Sequence, residues 1–192
     1  MKKLLMIAIA VTTLQVAQAQ TKLGIKAGVN FATYVGDDVD DADMLTSFYG
    51  GLFVNLHVSD VISIQPEVLY SVQGAKSTFL DTTITSKQEY INIPLMLQLK
   101  VMGFYGEIGP QLGILMASEI SGAGISFDTK DQLTSTDIGL CIGAGFKFEN
   151  GFGIGARYAM GLTSLDNVDD NYESDVKNSV LSLGLLYTFG SK

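Results

Sequence analysis

Six charged side chains fall in stretches that are otherwise apolar or small, where an ionised group needs a partner nearby. They are Lys26, Glu67, Lys100, Glu107, Lys147 and Arg157. Two chemistries fit this set. Two carboxylates held close together could act as general acid and base, or the carboxylates could pair with the lysines and the arginine. Because the sequence implies no substrate cleft, we interpret the six residues as a structural ion network in the interior.

Other candidate sites are weaker. His57 is the only histidine, and the strand order described below puts it beside a short turn, away from the open mouth that a Ser-His-Asp triad would need. Cys141 fits a small inward-facing residue better than a nucleophile. Residues 151–156 match a dinucleotide-binding spacing, but they span a hairpin with no following helix. The acidic stretches 37–43 and 166–175 could gather calcium, yet they lack the EF-hand pattern and fit solvated loops. We predict no catalytic residue, cofactor or metal site.

The composition limits the classes of protein that this chain can be. Its 192 residues fit one domain, and only 17% of them are charged, against roughly 25% in an ordinary soluble domain. The formal net charge of −8 argues against nucleic acid as a partner, because a polyanion would be repelled. With one cysteine, no intrachain disulfide can form.

The N-terminal segment has the composition of a secretory signal peptide. Lys2 and Lys3 give it a positive start, residues 4–11 are apolar, and Ala17-Gln18-Ala19 has the small-x-small pattern of a cleavage site. We predict a signal peptide over residues 1–19, which leaves residues 20–192 as the mature domain. A buried N-terminal helix is the alternative interpretation.

Beyond residue 20 the apolar side chains recur at every second position, which is the pattern of β-strands. In the first run, Leu23, Ile25 and Val29 alternate with polar or small residues. Eight runs show this period: 22–31, 48–58, 62–73, 91–101, 104–116, 137–148, 152–162 and 181–189. About ten residues is the length that a tilted strand needs to cross a lipid bilayer. The sequence therefore predicts eight antiparallel strands of membrane-crossing length.

The predicted links between these runs alternate between short and long. Short turns are expected near residues 59–60, 102–103 and 149–151, and longer polar links at 34–47, 74–87, 117–135 and 164–178. Outer-membrane barrels have short periplasmic turns and longer loops outside. We therefore predict an all-β, eight-stranded, antiparallel up-and-down transmembrane β-barrel with both termini in the periplasm.

Alternation alone does not decide which face of the barrel is apolar, since a soluble lipocalin-like barrel has the same period with its apolar side chains inward. In that arrangement the outer surface would carry many glycines and few charges, which is a poor surface in water. With the polar set inward, the six charged residues share an interior where opposite charges can pair and glycines leave room for long side chains. We therefore predict that the polar face points inward and the apolar face meets lipid.

Aromatic residues and prolines add two further expectations. Aromatic girdles at the two membrane interfaces are predicted from Phe104, Phe148, Phe152, Tyr187 and Phe189 on the periplasmic side, and from Phe31, Phe48, Tyr70 and Tyr90 on the outer side. Pro66, Pro94 and Pro110 cannot donate to the ladder of a closed sheet, so local bulges are expected there.

Five short motifs resemble a known family. They are Gln65-Pro66-Glu67-Val68-Leu69-Tyr70-Ser71 with Gly74-Ala75-Lys76, then Tyr90-Ile91-Asn92-Ile93-Pro94-Leu95, Gly106-Glu107-Ile108-Gly109-Pro110, Asp137-Ile138-Gly139-Leu140 with Gly143-Ala144-Gly145, and Arg157-Tyr158 with Gly161-Leu162-Thr163. In this order they resemble the outer-membrane β-barrel domain family of Bacteroidota, often labelled PorT-type or porin-family, with eight-stranded barrels like those of OmpA and OmpX. The resemblance implies an outer-membrane barrel that carries the three prolines, and it implies little about activity.

The predicted function is that of a non-enzymatic outer-membrane barrel in the envelope of a Gram-negative bacterium. A side-chain-filled interior would hold four exposed loops in a structural or binding role. The expected partners are outer-membrane lipid, the barrel assembly machinery, for which Phe189 resembles the C-terminal aromatic signal, and, as an open alternative, an extracellular ligand at the acidic loops. Two other functions stay open: a narrow porin-like transport channel and a soluble lipocalin-like periplasmic carrier.

Overall fold

The computed structural model describes residues 21–36, 43–79, 82–122, 125–130, 133–164 and 176–190, so the predicted signal peptide lies outside the described residues. The described strands are β1 Thr21–Val35, β2 Asp43–His57, β3 Ile62–Phe79, β4 Thr82–Val101, β5 Phe104–Gly122, β6 Ile125–Asp128, β7 Thr136–Lys147, β8 Phe152–Gly161 and β9 Lys177–Thr188. Strands form here because apolar side chains alternate with small or polar ones, which sorts the two sets onto opposite faces of a pleated chain. In this part of the chain no helix is long and apolar enough to span a membrane, a finding that concerns helices only.

Eight of these strands close into a barrel. Antiparallel neighbours follow the order β4, β3, β2, β1, β9, β8, β7, β5, and β5 pairs in turn with β4. The first and last strands of the chain meet in a ladder that runs from the pair Gly24–Thr188 to the pair Val35–Lys177. β6 is a short additional strand that pairs with the outer end of β5. The predicted all-β, eight-stranded antiparallel barrel is confirmed.

Short turns join strands at one end of the barrel, as predicted. They lie between β2 and β3, between β4 and β5, and between β7 and β8. Met102 and Gly103 form the second turn with φ values of 51° and 85°. Positive φ at both central residues is the requirement of a type I′ hairpin, whose twist matches that of the strands.

At the other end, the second link differs from the prediction. Residues 74–87 were expected to form a loop, but β3 runs to residue 79 and β4 begins at residue 82, in one continuous register. β5 likewise continues to residue 122 and pairs there with β6. The apolar period ends where the lipid ends, whereas ladder hydrogen bonds continue in water. Sequence periodicity therefore underestimates the length of these strands.

The apolar face of the barrel points outward. Leu97, Leu140 and Leu183 expose 45%, 40% and 43% of their surface, whereas Arg157 exposes 8%. A charged side chain turned toward the lipid midplane would cost about 2–4 kcal/mol, which fixes this register. The predicted orientation is confirmed, and the soluble lipocalin-like arrangement is excluded because the three leucines would then pack in the core.

One aromatic prediction is wrong. Tyr90 was expected in the outer girdle, but it is 1% exposed and lies inside the barrel. The two-residue period puts it on the same face as Asn92, and its hydroxyl donates to Gln88 Oε1 at 3.3 Å. A polar partner within the barrel thus keeps this tyrosine inward.

The prolines interrupt the ladder without forming bulges. Pro66 pairs with Leu95, and the pairing resumes at Leu69 without a change of register. Pro94 is followed in the same way by an unshifted pair farther along β4 and β5. Proline removes a hydrogen-bond donor but adds no residue to the strand, so the register survives. The predicted bulges at the prolines are therefore wrong.

Candidate functional site

Four of the predicted charged residues meet inside the barrel. Lys26 on β1, Glu67 on β3, Glu107 on β5 and Arg157 on β8 are at inward positions of four strands that do not neighbour one another. Their side chains are 7%, 0%, 3% and 9% exposed, respectively. We call these four residues the charged quartet. Only long side chains can reach across the lumen, which explains the residue types.

Arg157 joins the two carboxylates. Its Nη1 and Nη2 donate to Glu67 Oε2 and Oε1, each at 2.8 Å, and its Nε donates to Glu107 Oε1 at 2.8 Å. Lys26 Nζ donates to Glu67 Oε1 at 3.1 Å. The planar guanidinium fork is suited to such two-sided pairing. Two cations and two carboxylates leave the quartet neutral.

Side-chain amides complete the hydrogen bonding of the carboxylates. Gln65 Nε2 donates to Glu67 Oε1, and Gln98 Nε2 donates to Glu107 Oε2, both at 2.8 Å. Charges in a dry interior are stable only when they are paired and hydrogen-bonded in this way. The arrangement is that of a cross-link through the lumen, since both carboxylates are occupied by donors.

Lys100 and Lys147 lie closer to the short turns and bond differently. Lys100 Nζ donates to Asn55 Oδ1 at 2.8 Å, and Lys147 Nζ donates to Gln98 Oε1 at 3.1 Å. Among the described residues neither lysine forms an ion pair with a carboxylate. Of the six residues predicted to share a network, the structure brings four into ion pairs and links the other two through amides.

The barrel also encloses an apolar cluster that the sequence pattern did not predict. Phe53, Tyr105 and Leu186 pack together, each no more than 5% exposed. Lys147 Nζ lies 5.7 Å from the ring centroid of Phe53 and 5.1 Å from that of Tyr105, within the range of cation–π attraction. The three residues occupy inward positions in the two-residue alternation of their strands. This position was the sequence signal for the cluster, but their apolar character alone suggests an outward, lipid-facing position.

Glycines make room for these long side chains, as predicted. A Cβ at Gly145 would lie 2.5 Å from Tyr105 Oη, and one at Gly143 would lie 3.0 Å from Glu107 Oε1. Neither contact is tolerable without a shift of the neighbour. The glycine-rich faces of β7 and β8 therefore provide the space into which the tyrosine and the charged quartet project.

A polar layer fills the outer half of the lumen. Asn30 Nδ2 donates to Ser71 Oγ at 3.0 Å, and Ser182 Oγ donates to Asn30 Oδ1 at 2.7 Å. Nearby, Asn178 Nδ2 donates to Asp137 Oδ2 at 3.0 Å. Two cavities beside the quartet have volumes of only 30 and 10 Å³. Side chains thus occupy the described interior at successive levels.

The remaining sequence candidates lie apart from the quartet or outside the described residues. His57 ends β2 next to a short turn. Cys141 is buried, with its Sγ 3.5 Å from Gln111 Oε1. Residues 151–156 run from a turn into β8. Of the acidic stretches, residues 37–42 and 166–175 are not described. No group of three histidine, cysteine or acidic side chains that could hold a metal occurs in the described part of the chain.

Several solved structures of bacterial proteins are similar to this chain. Neisserial surface protein A is 14% identical with a TM-score of 0.54, over 87% of this chain and 97% of that chain. Ail, the attachment invasion locus protein of Yersinia pestis, is 18% identical with a TM-score of 0.49, over 88% and 99% of the two chains. The N-terminal barrel of Pseudomonas aeruginosa OprF is 11% identical with a TM-score of 0.41, over 88% and 100%. At these identities the likeness concerns the fold alone.

The sequence itself matches a family model. Residues 16–167 match the family described as outer membrane protein beta-barrel domain. No curated protein gives a significant match. The matched residues include seven of the eight barrel strands and all four residues of the charged quartet. The chain therefore belongs to the outer membrane protein beta-barrel domain family and is a protein of the Gram-negative outer membrane.

Proposed function

We propose that the protein is a non-enzymatic barrel of the cell envelope, with a sealed interior and a structural or binding role carried by its extracellular strands and loops. The filled lumen is the observation that carries this proposal. The cavities beside Lys26 and Arg157, of 30 and 10 Å³, have room for about one or two water molecules each. A transport channel needs a continuous aqueous path, which wide barrels of roughly 16 or more strands provide.

The hydrogen bonds of the carboxylates and the burial of the cysteine support the non-enzymatic part of this proposal. Glu67 and Glu107 accept hydrogen bonds from Arg157 and from glutamine amides, so neither carboxylate has room for a substrate proton. Cys141 is buried against Gln111, whereas a reactive cysteine needs access and a base. We therefore assign the charged quartet a structural role.

The finer assignments belong to the same proposal. The five motifs support placement among the PorT-type barrels of Bacteroidota. A signal peptide at 1–19 and the aromatic Phe189 would bring the chain to the barrel assembly machinery. Outer-membrane lipid would surround the exposed leucine-rich belt, and nucleic acid is not a partner.

Single-channel recording in planar bilayers tests the sealed lumen. The full chain should give no stable conductance steps, because side chains close the path at successive levels of the lumen. A porin of roughly 16 strands, reconstituted in the same bilayers, is the positive control. Stable conductance of the unmodified protein would favour the porin-like channel and overturn the proposal.

A further inference from the structure

Three lysines lie between the charged quartet and the short turns. Lys22 is two inward positions from Lys26 along β1. Lys100 is the next inward residue after Gln98 on β4, and Lys147 ends β7. We call Lys22, Lys100 and Lys147 the basic layer. It lies at the end of the barrel with the short turns, which is the periplasmic end in barrels of this class.

Amide side chains hold the basic layer together. Lys100 Nζ donates to Asn55 Oδ1 at 2.8 Å, and Asn55 Nδ2 donates to Gln98 Oε1 at 3.1 Å. Lys147 Nζ donates to the same oxygen of Gln98, also at 3.1 Å. Lys22 is the ladder partner of Asn55 on the inward face, and it lies within electrostatic range of Lys100. Asn55 and Gln98 therefore gather ammonium groups from three strands at one level of the lumen.

The charge of the basic layer is not compensated by the protein. Among the described residues none of the three lysines forms an ion pair with a carboxylate. Asp60 and Glu149 lie on the short turns at this end, where both are exposed. The lysines themselves are half-buried, so water screens their mutual repulsion less than it would at the surface. Three like charges in a partly enclosed layer favour the binding of an anion.

Hydrogen-bond donors are also in excess here. An ammonium group has three N–H donors, of which Lys100 uses one in the contacts described and Lys147 uses two. Thr188, the last residue of β9, pairs with Gly24 next to Lys22 and is only 6% exposed. Its Oγ1 is buried and has no hydrogen-bond partner within the described part of the chain. The donors at this level need acceptor oxygens, which an oxyanion supplies.

From the charge and the donors we propose that the basic layer binds a phosphate group that enters from the periplasmic side. Lysine binds phosphate as a point charge, whereas the planar fork of arginine is suited to two-sided pairing with carboxylates. A phosphate monoester carries a charge of about −1.5 to −2 and has three acceptor oxygens, so it can meet lysines that approach from three strands. This inference goes beyond the proposed function, because it concerns the periplasmic opening of the barrel.

Two sources have this chemistry: free phosphate in the periplasm and the headgroup of a phospholipid in the inner leaflet. Equilibrium dialysis of the full-length protein in maltoside micelles, which contain no phosphate, tests the proposal with radiolabelled inorganic phosphate as the probe. The buffer contains sodium chloride at about 0.15 M, which screens unspecific attraction between exposed charges. A second series adds phosphatidylglycerol to the micelles. Displacement of the probe by this lipid identifies the headgroup as the source, and retention identifies free phosphate; both results support the site.

The test variant combines Lys100→Met with Lys147→Met, which removes two charges and keeps the apolar length of the side chains. The matched control combines Lys87→Met with Lys130→Met, two exposed lysines at the other end of the barrel, so the net charge changes equally. The heat-modifiable gel shift of each variant verifies that the barrel is folded.

The unmodified protein should bind the phosphate probe in the presence of chloride. The variant of the basic layer should bind it about tenfold more weakly or less, whereas the control variant should change the affinity by less than about twofold. Absence of binding at this chloride concentration, or an equal loss of affinity in both variants, would overturn the proposal. Full binding by the Lys100 and Lys147 variant would overturn it as well.

Discussion

Replacement of Arg157 by methionine removes the cation that joins two buried carboxylates, while it keeps most of the apolar length of the side chain. Glu67 would retain Lys26 and Gln65 as donors. Glu107 would retain Gln98 among the contacts described above, and the quartet would change from neutral to a net negative charge. Removing one partner of a buried pair costs about 3–5 kcal/mol, since the remaining charge is left buried without compensation.

The chain offers a matched control at its surface. Lys87 and Glu89 form an ion pair at 2.9 Å with side chains that are 46% and 30% exposed. Solvent screens such a pair, so Lys87→Met should lower the free energy of unfolding by less than about 1 kcal/mol. The two substitutions remove the same charge and differ in burial.

Urea titration of the folded protein in detergent micelles measures the difference. Far-UV circular dichroism is the suitable signal because the chain has no tryptophan. With a denaturant slope of about 1–3 kcal/mol per molar urea, Arg157→Met should lower the midpoint by more than about 1 M. Equal midpoints for Arg157→Met and Lys87→Met would refute the reasoning that the quartet is a compensated buried network.

Three further outcomes are expected. Leu183→Arg should destabilise the barrel by about 2–4 kcal/mol in liposomes, and an unchanged urea midpoint would contradict the lipid-facing assignment. Gly145→Val should reduce the folded fraction in a heat-modifiable gel shift because its Cβ would lie 2.5 Å from a tyrosine hydroxyl, whereas Gly106→Val, with no atom within 4 Å of a Cβ, should fold normally. In a background without the native cysteine, a membrane-impermeant maleimide should label Ser126→Cys but not Ser59→Cys on intact cells. Labelling of the second variant would reverse the topology.

The period of the sequence was sufficient to predict the barrel. Apolar residues at every second position over eight runs, joined by alternating short and long links, predicted the strands, their antiparallel order and the side that meets lipid. The prediction held because each property is local: a strand sorts its own side chains by parity, and lipid penalises any charge placed on the outer face. Glu67 and Arg157 were placed inside the barrel by the same argument.

Which side chains meet in the interior depends on how the barrel closes. The alternation of apolar and polar positions along a strand does not determine this. Arg157 on β8 reaches Glu67 on β3 and Glu107 on β5, two strands that are distant from it in the chain. Lys147 packs over the rings of Phe53 and Tyr105. The sequence pattern also did not predict the strand extensions beyond the lipid, because in water either face of a strand can be polar. Sequence alone thus determined which face each side chain occupies; the tertiary structure decided which partner it meets, because strand stagger sets the height of each residue in the lumen.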